Sequence, residues 1–316
     1  MKLHKDAKLF VDTIRAASQK LNIIPIYIEK DYWITLVLSE LAKSKYVENV
    51  VFKGGTSLSK GYGLINRFSE DVDIAIINES ARTGNEIKTI IRTVEKEITK
   101  ELVEKHIEGV SSKGSRFRKS VFEYQSIDAR NKSNKLIVEI NSFSNPYPFR
   151  KLSIESFIAK FLKQTGNSDY IEKYSLHSFQ INVLDKKQTL IEKLVSLIRF
   201  SFDVNAIQSI ASKVRHFYDL YYLLSDAECA KFVATKEFTK QFNNIYNHDR
   251  KTFDIPKDWS NKSINESPLI SDFDSVWNKI KDTYSKELSA LAFTEIPLEN
   301  EVADKFKILI KFAIIN

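Results

Sequence analysis

The sequence predicts an α+β protein, in which an N-terminal half of mixed helices and strands precedes a helical C-terminal half. Residues 50–52 form a short apolar run that two glycines break, and residues 120–127 and 135–143 alternate as strands do. Helical periodicity dominates from residue 152 onward. Because the Asn-Pro-Tyr-Pro segment at 145–148 interrupts both patterns, we expect two domains, 1–148 and 149–316.

The N-terminal half is expected to begin with two helices, since apolar residues recur there at helical spacing. These are Phe10, Ile14, Ala17 and Leu21 in the first helix, and Ile34, Val37, Leu38 and Leu41 in the second. A strand over residues 50–52, a glycine turn, a short helix and a second strand follow. Residues 84–104 then predict an exposed helix. The strands over 120–127 and 135–143 are expected to be antiparallel partners joined by a polar loop, 128–134.

The C-terminal half is expected to consist of amphipathic helices. One is marked by Leu190, Leu194, Leu197 and Ile198, and another by Val214, Phe217, Tyr218, Tyr221 and Leu224. A loop is expected around 249–258, followed by helices near 271–291 and 299–314.

The composition is that of a globular chain with one charge bias. Of 316 residues, 43% are hydrophobic, and eight glycines and six prolines argue against long linkers. The single cysteine, Cys229, excludes an intramolecular disulfide framework. No segment has the length and apolarity of a membrane span, and the N-terminus lacks a signal-peptide core, so a cytoplasmic location is expected. The net charge of +7 fits a polyanionic partner without proving one.

The most informative segment joins a glycine turn to a pair of aspartates. Gly54 and Gly55 follow the first strand, and Thr56 and Ser57 are expected both to cap the helix that begins there and to contact the phosphates of a nucleotide. Such a turn offers backbone N–H groups to a phosphate. On the next strand Asp71 and Asp73 project from one face, because side chains in a strand alternate. Two carboxylates beside a phosphate site predict Mg²⁺ carrying a nucleoside triphosphate. A strand end with two solvated aspartates is the alternative.

The combined motif resembles the signature of the DNA polymerase β-like nucleotidyltransferase superfamily. The amino-acid sequence of residues 53–58 and 67–74 is similar to that of the AbiEii/AbiGii toxin family of abortive-infection and toxin–antitoxin systems. Residues 29–33, Lys193 and residues 215–219 match the family pattern in the same order, so the resemblance spans about 25–225. It implies a polymerase β-like core, a small mixed sheet with flanking helices, and a C-terminal helical domain that completes the nucleotide cleft.

The resemblance also implies roles for residues outside the turn. Glu139 interrupts an apolar strand, where burying a charge is costly. By the resemblance it would be the third metal ligand and would activate the attacking hydroxyl. The alternative is a glutamate on an edge strand that faces water. Lys193 would contact the nucleotide phosphates. The alternative is that its aliphatic chain only packs beside the apolar face of its own helix.

Asp219 would orient Lys193 or the nucleotide, or else only pair with Arg215 along its helix. Arg67 and Ser69 flank the metal strand and are expected to reach a γ-phosphate or the substrate backbone. The tyrosines and phenylalanines are expected to belong mostly to the core, although Tyr62 or Tyr222 could stack on a base. No catalytic role is assigned to His216.

The implied activity is Mg²⁺-dependent transfer of a nucleoside monophosphate from an NTP, with Mn²⁺ as an alternative ion. The implied acceptor is RNA, the tRNA 3′ end above all, and a cognate antitoxin would restrain the enzyme. Growth arrest or phage defence would be the outcome. Three rivals stay open: the same chemistry on a protein or a small molecule, a non-catalytic NTP-binding module, and a structural housekeeping protein.

Overall fold

The computed structural model describes residues 1–69, 71–77, 82–128 and 134–314. The chain forms two compact units. Unit 1 contains Met1–Gly63 and Phe68–Leu184, and unit 2 contains Leu64–Arg67 and Asp185–Asn316. The predicted division after residue 148 therefore differs from the division between compact units, which follows Leu184. The reason is that the strands after residue 148 complete the sheet of the N-terminal unit.

Unit 1 is built on one mixed sheet of eight strands in the order β3-β5-β6-β2-β1-β8-β7, with β4 also paired to β5. The strands are β1 (Val50–Lys53), β2 (Asp71–Ile76), β3 (Val103–Lys105), β4 (Ser112–Lys113), β5 (Phe117–Glu123), β6 (Lys135–Asn141), β7 (Phe149–Ile154) and β8 (Phe179–Leu184). Two pairs, β2 with β6 and β1 with β8, are parallel, and the other pairs are antiparallel. The expected α+β class and mixed sheet are confirmed.

The two strands expected near 120–127 and 135–143 are antiparallel neighbours, β5 and β6. Residues 129–133 of the loop expected between them lie outside the described residues. The helix expected over 84–104 is shorter, because Thr99 ends it and residues 103–105 form β3. Its inner face is buried and only its outer face is exposed.

Six α-helices occur among the residues of unit 1 that the structure describes. They are α1 (Ala7–Leu21), α2 (Pro25–Lys43), α3 (Gly54–Lys60), α4 (Gly84–Ile98), α5 (Phe157–Gln164) and α6 (Asp169–Tyr174). The first is amphipathic and buries Phe10, Ile14 and Ala17, as the spacing predicts. The second is buried on nearly every side, including the charged residues Glu29 and Asp31, which is unusual for a helix of this composition.

Among the described residues of unit 2, the regular structure is helical except for one isolated antiparallel bridge between Arg67 and Ala292. Its helices are α7 (Lys186–Phe200), α8 (Ala206–Ala211), α9 (Val214–Ser225), α10 (Ala227–Val233), α11 (Lys236–Thr252), α12 (Pro268–Ser271), α13 (Phe273–Leu291) and α14 (Glu299–Ile314). The core is aromatic: the Phe217 ring on α9 lies 5.2 Å from Trp277 and 4.7 Å from Phe306. The last two helices match prediction, whereas the loop expected at 249 begins only at Phe253, because α11 continues to Thr252.

Among the helices of the described residues, none has both the length and the apolar character that crossing a membrane requires.

Candidate functional site

The glycine turn of unit 1 lies directly against an aspartate of the motif. β1 ends at Lys53, and Gly54 begins α3 with a φ of +78°. A β-carbon at Gly54 would lie 2.1 Å from Asp73 Oδ2, well inside van der Waals contact. Glycine is therefore required twice, by a backbone conformation that L side chains avoid and by the close approach of the Asp73 carboxylate.

The hydroxyl groups that follow the turn do not cap the helix, contrary to prediction. The N-cap is Lys53, which makes no capping bond through its side chain. Thr56 Oγ1 donates instead to the backbone carbonyl of Asp71 (2.5 Å), and Ser57 Oγ donates to the carbonyl of Gly54 (2.8 Å). Thr56 thus ties α3 to the first residue of β2. The positive φ of Gly54, rather than a capping hydroxyl, sets where the helix begins.

The three predicted carboxylates occupy one face of the sheet. In β2, Asp71 and Asp73 are partly exposed and alternate with buried apolar residues, as predicted. β6 runs parallel to β2 with Glu139 paired to Asp73. Because residues paired across neighbouring strands point to the same face, Glu139 extends the row that the aspartates begin. β6 lies between β5 and β2, which excludes the alternative that Glu139 belongs to an edge strand.

Glu139 has a basic neighbour on that face. Its Oε2 lies 3.6 Å from Nζ of Lys119, its partner on β5. The separation is long and both side chains keep access to water, Glu139 at 27% and Lys119 at 33% exposed, so the pair contributes little to stability, on the order of 1 kcal/mol or below. Glu139 therefore shares the face of the aspartates and has Lys119 as its basic neighbour there.

A divalent ion suits the aspartate pair. Within the described ranges no three His, Cys, Asp or Glu side chains are grouped closely enough to hold a metal by themselves. Mg²⁺ does not need such a group, because it commonly takes one or two carboxylates and completes its shell with phosphate oxygens and water. Asp71 and Asp73 supply those hard oxygen donors, and the backbone of the Gly54 turn lies directly against Asp73. The role of Glu139 as a third ligand stays a prediction.

Unit 2 contains a buried ion triad made of three further predicted residues. Asp219 on α9 is fully buried and accepts two bonds from Arg67, from Nε to Oδ1 at 2.7 Å and from Nη2 to Oδ2 at 2.6 Å. Lys193 Nζ on α7 lies 2.7 Å from the same Oδ2. Burial alone would raise the pKa of Asp219, but the two cations outweigh it and hold that pKa below its ordinary value.

The triad alters two expectations. The Asp219 carboxylate pairs with Arg67 and Lys193, not with Arg215 along its own helix as one alternative had it. The Arg67 guanidinium is directed to Asp219, and the expected contact with a γ-phosphate stays a prediction. Burial, and then the charge of Lys193, hold the pKa of His216 well below its usual value.

Three other residues predicted for the site, Ser69, Tyr62 and Tyr222, lie in described parts of the chain. Ser69 is buried, and Glu70 beside it lies outside the described residues. Tyr62 donates its hydroxyl to the carbonyl of Leu184 (3.0 Å), and the Tyr222 ring packs 4.8 Å from that of Tyr218. The expected stacking of either tyrosine on a base stays a prediction.

Sequence reasoning missed a buried pair at the end of α3 that lies away from the turn. Lys60, the last residue of α3, donates to Asp31 on α2, Nζ to Oδ1 at 2.6 Å. The one available signal was a run of charged residues inside an otherwise apolar helix. Twenty-nine residues separate the partners, so no spacing rule connects them.

Comparison with known families identifies the chain. The family model described as the nucleotidyl transferase AbiEii toxin of type IV toxin–antitoxin systems matches residues 36–304. The chain belongs to the AbiEii family. It is accordingly a nucleotidyltransferase toxin with an NTP substrate and a cognate antitoxin. The match extends well beyond residue 225, where the recognisable motifs end, so most of the C-terminal helices belong to the AbiEii sequence pattern as well.

Two further comparisons add little to the AbiEii assignment. MenT4, a nucleotidyltransferase toxin from Mycobacterium tuberculosis H37Rv, aligns over 81% of this chain and 94% of its own. The two sequences are 13% identical and the TM-score is 0.33. A search of curated proteins gave no significant match.

Proposed function

We propose that this AbiEii protein uses Mg²⁺, with Mn²⁺ as an alternative, to transfer a nucleoside monophosphate from an NTP to an RNA acceptor, the tRNA 3′ end. The supporting observation is the contact of Gly54 with the Asp73 carboxylate, on a sheet face that also carries Asp71 and Glu139. That arrangement supplies hard oxygen donors next to a backbone turn, which is what a metal-bound triphosphate requires. The net charge of +7 and the family resemblance favour a polyanionic acceptor.

Each predicted residue has a role in this proposal. Asp71 and Asp73 would hold the divalent ion, which when bound neutralises phosphate charge. The backbone N–H groups of Gly54 and Gly55 would contact the phosphates. Thr56 fixes the turn to β2 through its bond to the Asp71 carbonyl, and this positioning role is better supported than a phosphate contact through its hydroxyl.

Glu139 would accept the proton of the attacking hydroxyl. The hydroxyl oxygen forms a bond to the α-phosphorus, and the bond from that phosphorus to the bridging oxygen breaks, releasing pyrophosphate. Lys193 is proposed to neutralise charge on the pyrophosphate, and Asp219 to orient the Lys193 ammonium through their 2.7 Å pair. We also propose that Ser57, Arg67 and Ser69 contact the bound nucleotide.

The competing acceptors are a protein hydroxyl and a small molecule. The test incubates the purified protein with each of the four NTPs, labelled at the α-phosphate, and with total tRNA, cellular protein or an aminoglycoside. Label in tRNA supports the proposal, and prior periodate oxidation of the tRNA 3′ ribose should prevent it. Label only in protein or drug contradicts the RNA acceptor.

A matched control uses NTPs labelled at the γ-phosphate. Nucleotidyl transfer leaves this label in pyrophosphate, so none should enter the acceptor. Transfer of γ-label would mean phosphoryl transfer and would contradict the proposed reaction itself.

A further inference from the structure

A carboxylate that the reaction does not use lies buried at the far end of the glycine-turn helix. Asp31 on α2 is 2% exposed, and both of its oxygens are occupied. Oδ1 accepts from Lys60 Nζ at 2.6 Å, and Oδ2 accepts from the backbone N–H of Phe157 at 2.7 Å. Phe157 is the first residue of α5, so one side chain joins α2, α3 and α5.

Lys60 completes this junction from the side of α3. It is the last residue of that helix, its side chain is 9% exposed, and it also donates to the carbonyl of Glu155 at 2.6 Å. Its ammonium lies 5.5 Å from the centre of the Phe157 ring. Burying this pair has a desolvation cost, and such pairs are weak evidence for stability in themselves. Their fixed geometry nevertheless suits them to set the orientation of an element.

α3 needs orientation from outside because it is only seven residues long. An isolated helix of that length is not stable in water, since too few hydrogen bonds repay its nucleation. At its start, Thr56 bonds to β2 and Gly54 lies against Asp73. At its end, Lys60 bonds to Asp31. The helix is therefore held at both ends, and a shift at one end alters the fit of the turn at the other.

We propose that Asp31 is a positioning residue for nucleotide binding: through Lys60 it fixes α3 so that the Gly54-Gly55 turn meets the phosphates beside Asp73. This inference rests on the proposed function of that turn. A misplacement of about 1 Å in such a site can reduce activity by about 100-fold. Asp31→Asn removes the charge but keeps the shape, and should weaken nucleotide binding by about tenfold or more.

The test measures the Kd of the full-length protein, by calorimetry with Mg²⁺, for α,β-methylene analogues of the four NTPs, which cannot be transferred. The variants are Asp31→Asn, Lys60→Met and the double variant, with Lys60→Arg as the conservative replacement. The matched control is Glu40→Gln. Glu40 is another buried carboxylate on α2, 6% exposed, and within the described residues its ion pairs go to Lys2, Lys43 and Lys100, none of which belongs to α3.

Three results together support the inference. Asp31→Asn and Lys60→Met each raise the Kd about tenfold or more, while Glu40→Gln stays within twofold of wild type even if its melting temperature falls equally. The double variant is no weaker than the weaker single variant, because both changes break the same link. Lys60→Arg binds the nucleotide analogue more tightly than Lys60→Met does. If Asp31→Asn fails to fold, the double variant, which leaves neither buried charge unpaired, replaces it.

The inference is wrong if Asp31→Asn, or the double variant in its place, folds and binds nucleotide within twofold of wild type. It is equally wrong if Glu40→Gln loses the same affinity, since the effect would then follow stability alone. Absence of nucleotide binding in the wild-type protein would refute the proposed function and this inference with it. The wild-type titration therefore distinguishes the two failures.

Discussion

Gly54→Ala is expected to disable the site while leaving the fold largely intact. The new β-carbon would lie 2.1 Å from Asp73 Oδ2, whereas ordinary contact begins at 3.4 Å, so the carboxylate must move by the difference. That movement requires a rotation of the Asp73 side chain, of which Oδ2 is a terminal atom. Alanine at a φ of +78° adds backbone strain of about 1–2 kcal/mol. Because Asp73 is a proposed metal ligand, displacing its carboxylate by roughly 1 Å should lower the transfer rate by about 100-fold.

Gly63→Ala is the matched control. Gly63 also has a positive φ, +63°, but a β-carbon there meets nothing within 4 Å. Urea unfolding should show a similar loss of stability in both variants. Pyrophosphate release, measured with NTP and acceptor in excess, should fall about 100-fold in Gly54→Ala and stay near wild type in Gly63→Ala. Equal rates in the two variants would refute the argument that Gly54 is needed for the approach of Asp73.

Three further predictions follow from buried or polar contacts. Asp219→Asn should lower the free energy of unfolding by about 3–5 kcal/mol in urea titrations, because it leaves two buried cations without their carboxylate; a loss below 1 kcal/mol would contradict the triad. Thr56→Val, which keeps the shape but removes the hydroxyl, should reduce nucleotide affinity more than Thr56→Ser does, and equal affinities would exclude a role for its bond. Burial alone would raise the pKa of Glu40, but bonds from three lysines lower it from 4.5 to about 2. Wild type should therefore exceed Glu40→Gln in free energy of unfolding by at most about 3 kcal/mol at pH 6. This difference should shrink as the pH falls from 4.5 toward 2, because the Glu40 carboxylate becomes protonated. A difference that does not change with pH would contradict the pairing of Glu40 with the lysines.

The site was predictable from sequence wherever its geometry is local. The alternation of Asp71 and Asp73 with buried residues depends only on the two-residue period of a strand, and β2 shows this alternation. The start of α3 was predicted correctly, but its cap was not, because Gly54 fixes that start through its own φ and leaves Thr56 free to bond to β2.

The long-range contacts were beyond the reach of periodicity. The pairing of Asp73 with Glu139 depends on the register of two parallel strands, which is set by the whole sheet. The bond from Arg67 to Asp219 joins residues 152 positions apart. The length of α4 was overestimated because its pattern of charges continues past Thr99, where the backbone leaves the helical conformation.

The central claim is that Asp71 and Asp73 hold the metal-bound nucleotide. Its most direct test is NTP-dependent labelling of the acceptor by Asp73→Asn, at saturating Mg²⁺, beside the control Asp12→Asn at an exposed position on α1. We predict that Asp73→Asn loses labelling by about 1,000-fold, since a metal-site electrostatic contribution of about 4 kcal/mol disappears, while its melting temperature stays close to that of the control. Labelling by Asp73→Asn within tenfold of Asp12→Asn would contradict the account.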